Sequence, residues 1–575
     1  MENVVKSRAR TVRATTRSLA LMMVCLLAGG VLAACGSSSS SSTSSTAASS
    51  ATLPTQAGAK VLLVGTFKGH RGQFATIQAA VNAAKPGDWI LVAPGDYHET
   101  ADESQAVPSS AFGAGNFGGV IIHTPNLHIR GMNRNGVIVD GTKPGSSTPC
   151  SSNPALQNFG PIGPGGKAEG RNGIVVFKTN GVSIQNLTVC NFLSGAGSSG
   201  NEIWWNGGEG TAKIGMGSYY GSYLTATSTY FGGESTAAAY GVFSSNASGP
   251  GYWNQIYTSN FNDSGLYVGA CQQLCNMVIN HAWSEYSALG YSGSNSGGSL
   301  VVENSQFDNN KDGFDTNSQN SADPPTPQNG ACPNGGISPI THTHSCWVFM
   351  HNSVHNNNNP NVPLAGSASA GPTGTGMTVS GGRNDTIMDN HFYNNGAWGF
   401  LFVPYPDTGT PATGQHCQGG VPGSVLKAKG GVLSLLAAGG VTCYFDAFGN
   451  TLAHNTFYHN GFFANPSNSD FGQIRGLTGN PQNCFIGNVA PDGTAPSNLQ
   501  ATQSQCGKIA TTQNTGGPLL AQVICDSGFG YCSANAKYPQ PTGVIMHPLP
   551  ANLPTMPNPC VGVPADPWCP GGKPL

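Results

Sequence analysis

Charged residues are scarce in this chain of 575 residues. Its 24 Lys and Arg and 26 Asp and Glu make up 9% of the sequence, about a third of the share in an ordinary globular protein. This scarcity excludes a solvated helical bundle or coiled coil, whose outer faces need charge. Without the first 17 residues, which hold five basic side chains and one acidic one, 19 basic and 25 acidic residues give a net charge of −6. That balance argues against a nucleic-acid partner.

The chain also lacks a long apolar run beyond its N-terminus, and it has no CxxC pair. The first absence argues against a membrane-spanning helix, and the second against a zinc ribbon. What the chain has instead is glycine, with 81 residues. Together with abundant Asn, Ser and Thr, glycine favours turns and short strands, so we expect an all-β fold.

The N-terminus carries the pattern of a secretory signal. A basic stretch precedes the apolar residues 19–28, and small residues lead to Leu32-Ala-Ala-Cys35-Gly36. These five residues resemble the lipobox of bacterial lipoproteins, which implies a signal peptide over residues 1–34 and a lipid on Cys35. An ordinary signal cleaved nearby is the alternative. Residues 35–56, mostly Ser, Thr and Ala, then form a flexible tether, and the protein is exported and anchored to the outside of the bacterial cell membrane.

The cysteine count agrees with export. Of 16 cysteines, 14 remain once Cys25 and Cys35 are set aside, an even number that suits disulfides in an oxidising compartment. The candidate pairs are close in sequence or bracket an insertion: Cys271/Cys275, Cys525/Cys532, Cys560/Cys569, Cys332/Cys346 and Cys417/Cys443.

The folded part begins with a short helix and a series of strands. Residues 74–84 place apolar side chains on one face at helical spacing, and the strand 89–92 and the turn Pro94-Gly-Asp-Tyr-His-Glu99 follow. Farther along, an apolar residue, any residue and then Asn recur as a unit. Its copies centre on Asn186, Asn280, Asn304, Asn352, Asn390 and Asn455. The intervals of 24 residues from Asn280 to Asn304, and of 48 to Asn352, predict one rung per ~20–25 residues, the second interval counting as two rungs.

This combination resembles the right-handed parallel β-helix proteins of the pectate-lyase-like superfamily. In a stacked coil each rung lies ~4.8 Å above the last, so like residues stack on like, and Asn suits the left-handed turn while its amide bonds the next rung. We therefore expect an all-β, right-handed parallel β-helix solenoid over residues 57–475, with a short N-terminal capping helix and loop insertions at residues 142–170, 194–240, 318–345 and 405–442. Residues 476–575, rich in Cys and Pro, form a disulfide-rich cap or tail.

The densest polar cluster is the stretch 308–317. Asp312 and Asp315 flank Gly313 there, and they resemble the Asp-Gly-x-Asp calcium element of certain β-helix pectate lyases, in which another Asp stands at the place of Lys311. The resemblance implies that Asp312 and Asp315 bind Ca²⁺. Lys311 also suits a base that removes a proton next to a uronate carboxylate. The structural alternative is that Asp caps its own turn and Lys311 neutralises it.

Other residues extend this candidate site. Asp263 and Glu285 lie on neighbouring rungs and are expected to bind substrate, and the alternative for Glu285 is a solvated surface acid. Trp398 and Tyr405 are expected to stack on sugar rings, and each alternatively serves as a packing residue. Arg383 is a clamp for an acidic sugar, or alternatively the partner of Asp385.

Our first functional hypothesis is an exported surface lipoprotein that binds or cleaves extracellular polysaccharide, as a lyase or a glycoside hydrolase. Its catalytic residues are Asp312, Asp315, Lys311 and Arg383, its one cofactor is Ca²⁺, and it is a monomer that meets the membrane through its lipid alone. The alternative is a noncatalytic surface scaffold for binding or adhesion. An enzyme should gather several acids and a Lys or Arg in one cleft, whereas a scaffold should scatter them.

Overall fold

The computed structural model describes residues 58–101, 117–163, 165–195, 200–208, 214–233, 236–271, 274–294, 296, 298–318, 347–409, 417, 420–424, 440–514, 517–528 and 532–575. The predicted signal peptide, the tether with Cys35, and the pair Cys332/Cys346 lie outside the described residues. In the described part of the chain, no helix has the length and apolarity needed to cross a membrane.

Short strands dominate this part of the chain. The first half contains β1 Val61–Val64, β2 Thr66–Phe67, β3 His70–Arg71, β4 Trp89–Val92, β5 Gly95–Tyr97, β6 Phe117–Ile122, β7 His128–Gly131, β8 Val137–Asp140, β9 Arg171–Phe177, β10 Val182–Cys190, β11 Asn201–Asn206, β12 Tyr219–Thr227, β13 Tyr240–Ser245, β14 Gly251–Ser259, β15 Ser264–Gly269, β16 Met277–Glu285 and β17 Leu289–Ser294.

The second half continues in the same way, with many strands of three residues. It contains β18 Leu300–Glu303, β19 Gln306–Asp308, β20 Asp312–Asn317, β21 Trp347–Met350, β22 Ser353–His355, β23 Thr375–Ser380, β24 Thr386–Met388, β25 His391–Tyr393, β26 Trp398–Val403, β27 Tyr405–Asp407, β28 Val421–Pro422, β29 Cys443–Phe445, β30 Thr451–Ala453, β31 Thr456–Tyr458, β32 Ser469–Gln473, β33 Cys484–Ile486 and β34 Thr494–Ala495.

Among the described residues the helices are few and short. They are α1 Ile77–Ala83, α2 Leu499–Thr502 and α3 Leu519–Asp526, with 3-10 turns at Pro154–Leu156, Gly366–Ala370 and Pro570–Gly572. Helix α1 is the predicted capping helix, and it begins where Thr76 Oγ1 accepts the amide of Ala79 at 3.2 Å. Glu99, the last residue of the predicted turn motif, accepts the amides of Ile77 at 2.6 Å and Gln78 at 3.1 Å. The motif thus satisfies the free amides at the start of α1.

Two long parallel sheets form the column. Sheet A contains β1, β4, β5, β7, β8, β10, β12, β14, β16, β18, β19, β21, β22, β24, β25, β30, β31 and β33, and sheet B contains β6, β9, β11, β13, β15, β17, β20, β23, β26, β32 and β34. Successive rungs pair in parallel throughout, for example β14 with β16 and β20 with β23. The expected parallel β-helix is confirmed.

Among the copies of the Asn unit, Asn186 and Asn304 are themselves left-handed, and Asn304 is exposed. In the copies at Asn352, Asn390 and Asn455, two roles fall on adjacent residues. The first residue adopts the left-handed conformation, as His351, Asp389 and His454 do with φ near 56°. The next residue buries its amide and bonds the rung above: Asn352 Nδ2 and the Asn352 amide donate to Asn390 Oδ1 at 3.1 and 2.8 Å, and Asn390 Nδ2 donates to Asn455 Oδ1 at 2.9 Å. A second such ladder joins Asn310, Asn357, Asn395 and Asn460.

The interior is filled by stacks of apolar side chains. In sheet B the residues in register are Tyr291, Phe314, Met377, Phe400 and Phe471. The rings of Tyr291 and Phe314 stack with centroids 4.1 Å apart. Such a pair contributes about 0.5–1.5 kcal/mol beyond the area it buries, so the stacks reinforce the register set by the Asn ladders.

Three sequence-based boundaries need correction. Strands β33 and β34 continue the parallel pairing past residue 475, because the Asn ladder continues through Asn483 and Asn488. The interval from Asn304 to Asn352 is one rung, since β18 pairs directly with β21 and the extra residues belong to an insertion. Residues 194–240, expected to be a loop, contain β11 and β12.

Disulfides join Cys271 with Cys275, Cys417 with Cys443, Cys525 with Cys532 and Cys560 with Cys569, as predicted. Two more bonds, Cys150 with Cys190 and Cys484 with Cys506, were not anticipated. The disulfides among the described residues fit an exported protein.

The C-terminal segment 532–575, here called the strap, runs back along the column. Near its start Lys537 donates to Asn465, and farther on His547 donates to Asn260. Arg130 then binds the carbonyls of Pro559 and Val561 at 2.9 and 2.6 Å. Finally, Trp568 packs with Leu63, Phe67 and Leu91 beside the first rungs. The strap therefore connects the last rungs to the first.

We expect Asn390→Ala to lower the free energy of unfolding by about 3 kcal/mol, because it leaves Asn352 donors and the Phe349 carbonyl without buried partners. Urea denaturation followed by circular dichroism measures this change. Asn304→Gly is the matched control, because Asn304 is exposed and left-handed and glycine accepts that conformation. Equal effects of both substitutions would contradict a buried ladder.

We expect Arg130→Met to raise amide hydrogen exchange in peptides covering residues 549–569, because the strap loses its bonds through the Pro559 and Val561 carbonyls. Peptides from β20 to β26 should exchange as before. The surface substitution Lys85→Met is the control. Unchanged hydrogen exchange in the strap peptides would show that Arg130 does not hold the strap in place.

Candidate functional site

A cavity of about 390 Å³ lies on the outer side of sheet B. Phe314 points into the core, so its neighbour Asp315 points outward from β20. The loop that contains Gly366–Ala370 and the end of α3 complete the wall. The polar lining comprises Tyr240, Asp263, Ser292, Ser294, Asp315, Asn317, Ser369, Thr378, Ser380, Tyr405, Thr408 and Ser527.

Asp263 precedes β15 at one side of the cavity. Its Oδ2 accepts the Tyr240 hydroxyl at 2.9 Å, and its Oδ1 accepts the Ser292 hydroxyl at 3.3 Å. Burial raises the pKa of Asp263 to about 6, and the charge of Asp315 adds to that rise. Asp263 therefore exchanges a proton near neutral pH, which is what a catalytic acid requires.

Asp315 faces the same cavity from β20, in register with Ser292 on one rung and Thr378 on the next. Its Oδ1 accepts the hydroxyls of Thr378 and, at 3.0 Å, Ser380, and Asn317 donates to Oδ2 at 3.4 Å. Burial raises the pKa of Asp315, while these three donors lower it. The hydrogen bonds favour its ionised form.

The cavity thus joins two carboxyl groups with a set of hydroxyls and contains no cationic side chain. None of the described residues that line it is Lys or Arg. Two carboxyls in unequal environments suit acid and base roles in the cleavage of a glycosidic bond. Hydroxyls suit hydrogen bonding to sugar hydroxyls. A uronate carboxylate finds no positive partner among these residues.

Lys311 and Asp312 do not reach the cavity, contrary to the prediction. Asp312 is fully buried, and burial raises its pKa well above the usual range. Lys311 is also buried and donates its ammonium group to the carbonyls of Ser369, at 3.2 Å, and Gly371. Burial lowers the pKa of Lys311, and the charges of Asp526 and Asp312 oppose that shift. Both residues support the wall of the cavity from behind.

Gly313 does not form the predicted turn, because it lies inside β20. A Cβ atom there would meet the carbonyl oxygen of Gly376 on the next rung at 2.4 Å. The absence of a side chain at Gly313 therefore allows the two rungs to stack closely. Among the described residues, no further His, Cys, Asp or Glu atom joins Asp312 and Asp315 in a group close enough to hold an ion. The Ca²⁺ assignment stays a prediction.

Of the remaining predicted residues, the structure brings Tyr405 to the cavity and leaves two others elsewhere. Trp398 is fully buried and donates to the carbonyl of Ser467 at 2.8 Å, so its predicted stacking on sugar is wrong. Arg383 does not line the cavity. Its guanidinium lies over the ring of Phe448, 5.8 Å from the centroid.

Glu285 lies on the other sheet, in a row of outward-facing residues. Glu285, Asp308, His355, Tyr393 and Tyr458 are in register on successive rungs of sheet A. Burial raises the pKa of Glu285 to about 7, and Tyr257 donates to it at 2.7 Å. The rings of His355, Tyr393 and Tyr458 stack at 4.4 and 4.8 Å. We call these five residues the acidic–aromatic row.

Sequence reasoning missed the hydroxyl donors of the cavity. Ser292 lies one rung before Asp315, at the expected spacing. The rung period could therefore have identified Ser292 as a neighbour of Asp315. Thr378 and Ser380 are also one rung away in space, yet the insertion between β20 and β21 separates them from Asp315 in sequence. No local pattern marks such a neighbour.

Known structures with similarity to this chain were found at low identity. The A-module of the mannuronan C-5 epimerase AlgE4 of Azotobacter vinelandii is 12% identical over 72% of this chain and 90% of its own, with a TM-score of 0.38. Pectate lyase Pel9A is 12% identical over 78% and 81%, with a TM-score of 0.32. An alginate lyase from Paenibacillus sp. str. FPU-7 is 13% identical over 69% and 95%, with a TM-score of 0.29.

No family model and no curated protein matches the chain. The parallel strand pairing establishes the fold.

We expect stability to fall as pH rises from about 4.5 to about 7.5. Burial raises the pKa of Asp263 and Asp470 to about 6 and that of Asp446 and Asp526 to about 7. An unfolded Asp titrates near ~3.9, so the folded chain holds these protons more tightly. Their stabilisation is complete below that value and is lost as pH rises through 6 to 7. Urea midpoints measured across this range test the sign.

In the same series, Asp263→Asn should reduce the loss of stability around pH ~6, because it removes one of the carboxyl groups with a raised pKa. Asp389→Asn, at a partly exposed turn, is the matched control and should leave the profile unchanged. Urea midpoints that rise with pH would contradict the raised pKa values.

Proposed function

We propose that this protein binds extracellular polysaccharide and hydrolyses its glycosidic bonds in the cavity of sheet B. The observation that carries this proposal is the pair Asp263 and Asp315, two partly exposed carboxyls that share one cavity lined with hydroxyls. Asp263, with its pKa of about 6, protonates the leaving oxygen. Asp315, supported by three donors, acts as the base or nucleophile.

The charge of the site favours a neutral glycan. The described lining contains two carboxyls and no Lys or Arg, and the chain without its basic first 17 residues carries a net charge of −6. A polyuronate is repelled by both unless Ca²⁺ intervenes. Hydrolysis therefore replaces the lyase chemistry that relied on Lys311, since that lysine is held by backbone carbonyls behind the wall.

The alternative is a noncatalytic scaffold that binds glycans along sheet A. The acidic–aromatic row favours it, because Tyr458 at one end of the row is 43% exposed and Trp283, which donates to Asp308 near the other end, is 36% exposed. Flat apolar rings of this kind pack against sugar faces. This surface binds without needing the cavity.

We further propose that the chain works outside the cell, anchored through a lipid on Cys35. The disulfides among the described residues support export. The lipobox-like residues 32–36 support the anchor.

The test is to incubate the full chain, purified in detergent, with a panel of neutral and acidic polysaccharides, with and without Ca²⁺. New reducing ends report hydrolysis, and absorbance of unsaturated products reports elimination. We expect reducing ends without unsaturated products, and a loss of at least ~10²-fold in rate for Asp263→Asn and Asp315→Asn. Glu303→Gln, on the outer side of sheet A, is the matched control and should keep full activity.

Other outcomes separate the alternatives. Binding without cleavage, retained in Asp263→Asn and lost in Tyr458→Ala, would favour the scaffold. Unsaturated products that require Ca²⁺ and disappear in Asp312→Ala would restore the lyase and its calcium site. Neither binding nor cleavage on any polysaccharide would overturn the proposal.

A further inference from the structure

We propose that Asp96, His98 and Asp140 bind a divalent transition-metal ion such as Zn²⁺ on the first rungs of sheet A. One oxygen or nitrogen atom from each residue lies within 4.8 Å of the others. The site is separate from the cavity, which lies on sheet B, and it uses the turn motif 94–99 that the proposed function leaves without a chemical role.

The fold brings the three residues together through strand register. Strands β5 and β8 pair in parallel, with Tyr97 opposite Val139. Continuing that register by one residue places His98 beside Asp140. Asp96 and His98 are two residues apart on an extended chain, so both side chains point to the same face. The column thereby builds a three-ligand set from two rungs.

His98 is held in the tautomer that a metal requires. Its Nδ1 lies 2.7 Å from the carbonyl oxygen of Thr142. A carbonyl only accepts, so Nδ1 carries the proton, and in the neutral ring Nε2 has a lone pair for an ion. Metal-binding histidines are oriented in this way by a hydrogen bond from the second ring nitrogen.

The distance between His98 and Asp96 fits a shared ion. Asp96 Oδ2 lies 3.4 Å from His98 Nε2. A charge-assisted hydrogen bond between them would measure ~2.7–2.9 Å. Two ligands bound at ~2.0 Å to a tetrahedral ion lie about 3.3 Å apart. The observed separation matches the second arrangement.

Asp140 supplies a fixed third ligand. It is 1% exposed, and its oxygens accept the amides of Thr142 at 2.8 Å and Cys150 at 2.6 Å. Each oxygen keeps a further lone pair for an ion. The hydroxyl of Thr142 is also buried, and it has no hydrogen-bond partner among the described residues. Cys150 is bonded to Cys190, so its sulfur is not a ligand.

The ligand set selects the class of ion. One imidazole and two carboxylates suit Zn²⁺ and its transition-metal neighbours, whereas Ca²⁺ and Mg²⁺ prefer oxygen alone. The side chains of His98 and Asp96 are 20% and 28% exposed. An ion therefore reaches the site from solvent, and water completes its coordination.

The test is titration of the full chain, first stripped with a chelator, with Zn²⁺ by calorimetry and with Co²⁺ by visible absorbance. We expect one Zn²⁺ per chain, a visible Co²⁺ spectrum, and a rise in thermal midpoint with Zn²⁺ but not with Ca²⁺. Asp96→Asn and His98→Gln should each weaken Zn²⁺ binding at least ~10-fold and abolish the Co²⁺ spectrum. Circular dichroism confirms that both variants fold.

His123→Gln is the matched control, since His123 is exposed and outside the cluster, and it should bind like the parent. No Zn²⁺ binding by the parent would overturn the proposal. So would unchanged affinity and spectrum in both Asp96→Asn and His98→Gln, which would mean that other histidines hold the ion. Neither result bears on hydrolysis at Asp263 and Asp315.

Discussion

The vertical hydrogen bond between buried asparagine amides is the interaction on which the column depends. Each amide accepts from the rung below and donates to the rung above, so the ladder amides pair with one another inside the column. A one-residue slip would place Asn352 opposite Asp389 or His391 in place of Asn390 and would break these bonds. The ladders therefore fix the register, and the register decides which outward side chains become neighbours.

The low charge content of the chain and the chemistry of its cavity have the same origin. With few cations available, its buried carboxyls are held by hydroxyls and backbone amides, as at Asp263, Asp315 and Asp446. Burial without a counter-ion favours the protonated carboxyl. The same condition that makes these acids costly to ionise gives Asp263 a proton to donate near neutral pH.

The fold was largely predictable from sequence, because the Asn unit and the capping helix are local patterns with a direct physical meaning. The site was predictable only in part. Asp263, Asp315 and Tyr405, named from the sequence, line the same cavity, whereas burial of Trp398 depends on α3, a distant segment packed over it. Likewise, Lys311 faces a loop whose path no periodicity specifies. Because insertions change the number of residues between rungs, the sequence does not show which residues become vertical neighbours.

The strap changes how this column should respond to force. In an open solenoid, a pull on one end peels the rungs away singly, each resisting alone. Here the segment that leaves the last rungs is fastened to Arg130 and to the pocket around Trp568 beside the first ones. A load applied between the two ends is therefore carried in shear along the whole length, and the column should yield in one event.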